Sequence, residues 1–257
     1  MKIAIDFTKS LEENASDYFE EAKTAKRKAE GARKALEETH AKLKELEKNI
    51  ETEDTKEKAK KAARKREWYE KFRWFFTSEN MLFIAGRDAT TNEIIIKKHM
   101  DKDDVVFHAD FAGSPFGVLK TEGKDPSKKA LEECAQFIAC YCKVWKTSVT
   151  LADVFYVNPD QVTKEAPTGE YISKGSFMIY GKKNIVSSQL KLFVGKMEGG
   201  KIMSGPESAV KMHCDPYVEV GQGNKKGSDV AKKIKTKLQA DDLDDILKVV
   251  PVGSTLR

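Results

Sequence analysis

Two short polar runs hold the residue types from which an acid–base pair or an ion site is built. The first is Arg87, Asp88, Asn92 and Glu93, within the stretch 86–93 where an apolar run gives way to an amphipathic one. The second is FHAD at residues 107–110. Its His108 and Asp110 share one side of an extended segment, because strand side chains alternate with a period of two. Carboxylates, an amide and an imidazole so arranged can hold a divalent ion or move a proton. The same residues also do plain structural work. Asp88 or Thr91 caps a helix start, Glu93 suits its first turn, and Arg87 pairs with a carboxylate. The chain has no H-x-x-x-H, H-E-x-x-H or G-x-S-x-G pattern and no nucleophile set beside a base.

Cations gather in three places. Residues 56–73 carry nine Lys or Arg against three Glu, with Trp68, Tyr69, Phe72 and Trp74 interleaved at the end. Basic residues beside aromatics suit RNA, whose unpaired bases offer stacking faces. Aromatics at this spacing equally serve as core. The second place is GQGNKKGS at residues 221–228, where a Gly-rich loop with Lys225 and Lys226 leads into a helix start, a geometry that favours anions. It lacks the G-K-[ST] step of a P-loop. Lys232, Lys233, Lys235 and Lys237 follow around a Val230, Ile234, Leu238 stripe. The third is the tight loop 113–117 with Lys120 behind it, a weak phosphate-loop signal that is commonly only a turn.

The elements that position these groups fall into two kinds of material. Leu11, Ala15, Tyr18, Ala22, Ala25, Ala29, Ala32, Leu36, Thr39, Leu43, Leu46 and Ile50 keep a 4-3 spacing, the seam of a coiled coil. Ser10 and Glu13 have capping-box spacing at its start. The break at residues 51–55 and the return of the pattern at Ala59, Ala62, Arg66 and Tyr69 predict an antiparallel helical hairpin with its tip near Thr52–Thr55. Residues 2–7 alternate like a short strand. After Trp68 the pattern predicts a hairpin around Ser78–Asn80 and a helix over 91–100. Strands are predicted at 105–109 and 116–120, and a helix from Pro126 to about Lys146. Further strands are predicted at 152–157, 177–180, 190–195, 201–204 and 210–220, then helices from Ser228 and from Asp241. Strands with irregularly inserted helices indicate an α+β fold with an antiparallel or mixed sheet. The expected division is an arm over 1–67, a compact domain over 68–186 and a C-terminal continuation over 187–257.

The 46 Lys+Arg and 41 Asp+Glu leave a net charge of only +5, yet charged residues make up 34% of the 257. A part of the chain therefore buries little. No apolar run approaches the ~18 residues of a membrane span, and Met1 is followed by no signal-peptide core. A soluble, cytoplasmic protein is expected. Cys134, Cys140, Cys142 and Cys214 show no C-x-x-C spacing and are expected as buried, reduced thiols. No cofactor and no metal is expected.

Ordered motifs carry a resemblance over about residues 3–186. They are WYEKFRWFFTSEN at 68–80, IAGRDA at 84–89 with Asn92 and Glu93, FHAD at 107–110, GSP at 113–115, QVTK at 161–164 and GEYISKGSFM at 169–178. Together they resemble the NFACT-R domain of the NEMF and RqcH ribosome-quality-control factors, also called fibronectin-binding-protein-A-like. Ile5, Asp6, Ser10, Asn14, Ala15, Tyr18 and Phe19 look like the entry to that family's coiled-coil region. The resemblance implies an archaeal-type fragment without the family's N-terminal tRNA-engaging and helix-hairpin-helix domains. It also implies a binding protein rather than an enzyme. Its partners would be the large ribosomal subunit with its rRNA, and tRNA, and its role the tailing of a stalled nascent chain. The candidate RNA contacts are Lys60, Lys61, Arg64, Lys65 and Arg66, then Arg87, Lys120, Lys164, Lys174, Lys225 and Lys226. Two other readings stay open: a metal-dependent enzyme acting on nucleic acid or nucleotides through Asp88, Asn92, Glu93, His108 and Asp110, and an adaptor whose Ala-rich seam self-associates or docks a protein. Nothing in these residues supports fibronectin binding.

Overall fold

The computed structural model describes residues 4–61, 66–111, 113–147, 149–165 and 171–257, with the backbone alone over 44–61. Two units divide the chain, the first ending at Arg66 and the second beginning at Glu67.

The first unit is one helix, α1, Leu11–Lys61. The capping box forms as expected: Ser10 N–H donates to Glu13 Oε2 (2.7 Å) and Glu13 N–H to Ser10 Oγ (3.1 Å). The preceding residues form no strand from Ala4 on. They fold back on the helix start instead. Asp6 N–H donates to Asn14 Oδ1 (2.9 Å), Asn14 Nδ2 returns a bond to Asp6 O (3.0 Å), and Tyr18 Oη donates to Ala4 O (2.6 Å). A lone extended segment without a pairing strand has no use for its backbone groups, and the Asn14 amide supplies one.

The hairpin tip expected at Thr52–Thr55 is also corrected, because α1 runs straight through it. Residues 51–55 contain neither Gly nor Pro, so the loss of the apolar seam costs only propensity and stops no backbone ladder. The helix is about 77 Å long at 1.5 Å per residue. Leu11, Tyr18, Leu36 and Leu43 of its seam are exposed.

The second unit is α+β. A six-stranded antiparallel sheet combines β1 (Arg73–Phe76), β2 (Leu82–Ala85), β3 (Val105–Ala109), β4 (Gly117–Leu119), β5 (Leu151–Val157) and β8 (Asn184–Gln189), in the order β1-β2-β4-β3-β5-β8. Between its strands lie α2 (Ala89–Lys98), α3 (Lys128–Cys140) and a small ribbon of β6 (Val162–Thr163) with β7 (Met178–Ile179). A four-stranded antiparallel sheet follows, ordered β10-β9-β11-β12, from β9 (Leu192–Met197), β10 (Ile202–Gly205), β11 (Cys214–Gln222) and β12 (Ser254–Leu256). Helices α4 (Glu207–His213), α5 (Gly227–Leu238) and α6 (Leu243–Val249) accompany it.

The predicted strand at 210–220 divides at Cys214. Its first four residues belong to helix α4, whose N-cap is Pro206 and which buries Ala209 and Val210. Strand β8 escaped prediction because it is an edge: four of its six residues, Asn184, Ile185, Ser187 and Gln189, are exposed, so no hydrophobic alternation marks it.

The core is centred on α3, whose buried stripe lies under the six-stranded sheet. Phe137 packs against Phe75 (4.8 Å between ring centroids), Phe83 (5.7 Å) and Tyr141 (4.7 Å). Gly117 lets the strand come down on this cluster, since a Cβ there would stand 2.3 Å from the Phe83 ring and 2.8 Å from Ile138. The second sheet joins the same core through Leu192, Val194 and Met203. Phe76 N–H meets Met203 Sδ at 3.4 Å where β10 passes β1. All four cysteines are free and buried. Because Phe137 is fully buried at the meeting of three rings, Phe137→Ala should cost about 3–5 kcal/mol. Urea denaturation followed by tryptophan fluorescence measures this, and a loss below 1 kcal/mol would show that the cluster is not the core's centre.

Candidate nucleic-acid interface

The two polar runs come together. Residues 86–89 with Asn92, and residues 108–111 with 113–116, line a cleft of about 740 Å³, with Lys174–Ile179 along one wall and Arg73 and Tyr141 also contributing.

The α2 start builds the first wall. Asp88 is its N-cap, accepting from Thr91 N–H (2.8 Å), while Thr91 Oγ1 accepts from Arg87 N–H (2.8 Å) and Asp88 N–H (2.9 Å). Asn92 is buried and works in two directions. Its Oδ1 accepts from Phe116 N–H (3.2 Å) and its Nδ2 donates to Gly175 O (3.4 Å). Gly86 makes room for that amide, since a Cβ would stand 1.8 Å from Asn92 Oδ1. Gly175, at φ +79°, presses on α2 where a Cβ would meet Ala89 Cα at 2.4 Å.

Glu93 completes the tie. It pairs with Lys164 Nζ (2.8 Å) and Lys97 Nζ (3.1 Å) and accepts from Gly175 N–H (3.4 Å). Lys164 above all, with Lys97 and that N–H, holds the carboxyl down at about 2. Lys164 also donates to Ser173 O (2.8 Å) and Ser176 O (2.9 Å), so it serves as the peg of the segment over 173–177.

His108 lies against the Phe116 ring (4.3 Å between centroids), and burial pushes its pKa down to about 4. At neutral pH it is an uncharged ring. Asp110 is exposed, 3.7 Å from Lys183 Nζ. The set Asp88, Asn92, Glu93, His108 and Asp110 is thus divided between a cap, a strut, an ion pair, a ring packed against Phe116 and a surface pair. Among the described residues no three His, Cys, Asp or Glu side chains are grouped to hold a metal ion.

Two cations of the cleft have a different character. Arg73 Nη1 donates to Gly86 O and its guanidinium lies 4.7 Å over the Tyr141 ring. Arg87 Nη2 donates to Phe72 O (2.9 Å) and Nη1 to Lys248 O (3.4 Å). Burial lowers the pKa of both. Tyr141 Oη donates to Val249 O (2.5 Å) and bonds Ser204 Oγ (2.7 Å), and burial pushes it up to about 12. Sequence reasoning named Arg87 and Lys174 here but missed Arg73, Tyr141 and Lys183. Arg73 had a signal: it is the cation inside an otherwise apolar strand start, FRWFF.

The other expected contacts lie elsewhere. Lys120, 15% exposed, is held by Asp101 (2.6 Å), Asp104 and His99 O (3.0 Å), so its charge is already answered inside the fold. Lys225 and Lys226 are exposed at the start of α5. Lys225, Lys233, Lys237 and Arg257 share a shallow hollow of about 200 Å³. Arg66 is exposed. Arg64, Lys65 and the side chains of Lys60 and Lys61 lie outside the described residues. Of the aromatics in the first basic zone, Tyr69, Phe72 and Trp74 are buried, whereas Trp68 is 45% exposed and stacks on His99 at 4.6 Å.

Residues 71–181 match the family described as the NFACT protein RNA binding domain. The "Archaeal Rqc2 homolog aRqcH" of Methanocaldococcus jannaschii is 41% identical over 200 residues, 76% of this chain and 30% of that protein. "Ribosome quality control complex subunit NEMF" of Mus musculus is 39% identical over 178 residues, 67% of this chain and 16% of that protein. The human protein of the same name is 38% identical over 178 residues. The chain thus spans less than a third of the length of these relatives. Among solved structures, the C-terminal part of a fibronectin/fibrinogen-binding protein from Streptococcus suis is similar with a TM-score of 0.39 and 20% identity, over 49% of this chain and 46% of that one. Residues 71–181 thus match the NFACT-R RNA binding domain, and the chain is homologous to archaeal RqcH and NEMF ribosome quality control factors.

Proposed function

We propose that this chain is the RNA- and ribosome-binding portion of a ribosome-quality-control factor. It engages large ribosomal subunits that carry stalled peptidyl-tRNA and supports C-terminal tailing of the nascent chain in the cytoplasm. The protein contributes binding, and bond formation belongs to the ribosome. The observation that supports this most is the sorting of cations around the RNA-binding domain. Lys120 and Lys164 are spent on internal carboxylates. Lys225, Lys226, Lys232, Lys233 and Lys237 stand exposed around the buried Val230, Ile234 and Leu238 and, among the described residues, make no ion pair. Unspent lysines on one face are what a phosphate backbone requires. Lys60, Lys61, Arg64, Lys65 and Arg66 are proposed as a second contact zone. The exposed apolar seam of α1 is proposed as a protein-docking or self-association surface.

Charge reversal at Lys225, Lys226 and Lys233 should weaken tRNA or ribosomal-subunit binding about tenfold or more near 100 mM salt. It should also reduce the slope of log K against log salt by about 2–3. Fluorescence anisotropy and subunit co-sedimentation measure both, and an unchanged slope would remove α5 from the interface. The same substitutions at residues 60–66 test the second zone independently.

The competing enzymatic reading needs His108 to exchange a proton near neutrality. With its folded pKa near 4, below the ordinary 6.5, His108 binds fewer protons than the unfolded chain between those values. Stability should therefore fall as pH drops through that window, by up to about 3 kcal/mol from this group. Proton NMR should give a midpoint near 4, and His108→Asn should lose that part of the pH dependence. A midpoint above 6 would revive the acid–base reading.

A further inference from the structure

We infer that the cleft takes a single unpaired, phosphate-bearing nucleotide of an RNA strand, with its phosphate on Arg73 and Arg87 and its base against Phe111. This rests on the RNA-binding reading above and gives it a site. Arg73 and Arg87 are half-buried neighbours; burial above all, and then the charge of Arg87, makes Arg73 less comfortable as a cation. Among the described residues neither has a carboxylate within the 4.0 Å of an ion pair: Asp88 acts on both, and Asp245 on Arg87, only from farther away. Their hydrogen bonds go to backbone carbonyls, and Arg73 also lies over the Tyr141 ring. The Nε of each is buried without a hydrogen-bond partner.

A neutral donor would satisfy those carbonyls equally well. Two like charges drawn partly out of water, with donors left over, are costly unless an anion completes them. Guanidinium forks match phosphate oxygens in particular. The nearby carboxylates do not fill that place at contact distance: Asp88 caps α2, Asp245 pairs with Lys248 and reaches Arg87 only from beyond an ion pair, and Asp110 faces Lys183. His108 adds no charge near neutrality. Lys174 is exposed at the rim, where it draws the anion in.

The rest of the cleft fits the remainder of a nucleotide. Its volume of about 740 Å³ lies within the ~300–1,000 Å³ of small-ligand sites. Phe111, 41% exposed, gives one wall an aromatic face for stacking. A duplex holds its phosphates on a convex surface and cannot lower one onto recessed guanidiniums, whereas a splayed nucleotide can.

The test uses the full chain, labelled for observation of arginine Nε–Hε resonances, titrated with uridine 3′,5′-bisphosphate, uridine, inorganic phosphate and a 12-nucleotide oligouridylate. The bisphosphate should shift the Arg73 and Arg87 resonances saturably and bind at least tenfold tighter than uridine or phosphate. Phe111→Ala and Lys174→Glu, both at exposed positions, should each weaken it several-fold with melting unchanged, and Arg87→Gln at least tenfold. If both resonances stay still while oligouridylate binds, the cleft assignment falls and the RNA reading stands. If oligouridylate fails to bind as well, both fall. If the bisphosphate binds and oligouridylate does not, the site is one for free nucleotides and the assignment to an RNA strand is overturned.

Discussion

The buried amide of Asn92 is the contact on which the cleft depends. One side chain accepts from the backbone entering β4 and donates to the backbone at Gly175. It therefore holds two loops that are 59 residues apart in sequence against the start of α2. Its place exists only because Gly86 has no Cβ. A buried amide with both ends satisfied stabilises the native arrangement, while one left unpaired costs about 1–3 kcal/mol. Glu93 and Lys164 repeat the tie one residue on, at the surface end of the same loop. Residues that look catalytic by type are here the fastenings of the cleft's wall.

Charge follows a similar division. Cations close to the sheet are neutralised or bound to carbonyls, as with Lys120 between Asp101 and Asp104. Those on α5 face water over a fully apolar inner stripe. Net charge conveys none of this, because a domain's sum does not say which lysines are already paired. Arg73 and Arg87 are the intermediate case, held in position by carbonyls and, among the described residues, with no carboxylate at ion-pair distance.

The long helix is the sharpest departure from expectation. Its 4-3 pattern fades at residues 51–55, and a fading pattern reads as a turn when only hydrophobic spacing is followed. Helices end where the backbone is stopped or capped, and nothing in ETEDT does either. A charged helix with an apolar seam is ordinarily stabilised by what covers the seam.

From its sequence alone the chain determined the capping box at Ser10–Glu13, the hairpin at Ser78–Asn80, the α3 stripe, the α+β class and the NFACT-R motifs. Each of these is local, since spacing, caps and turn residues act within a few positions. Tertiary structure decided what lay further apart. Four of the six β8 residues are exposed and only pairing with β5 makes them a strand, and residues 207–213 became helix by burying Ala209 and Val210. The site shows the same boundary. Arg87 and His108 stood out in two polar runs and Lys174 separately as a cation, but only the fold brings them together and adds Arg73, Tyr141 and Lys183. Which cation is spent and which is available depends on neighbours many residues away, and that information is created by packing.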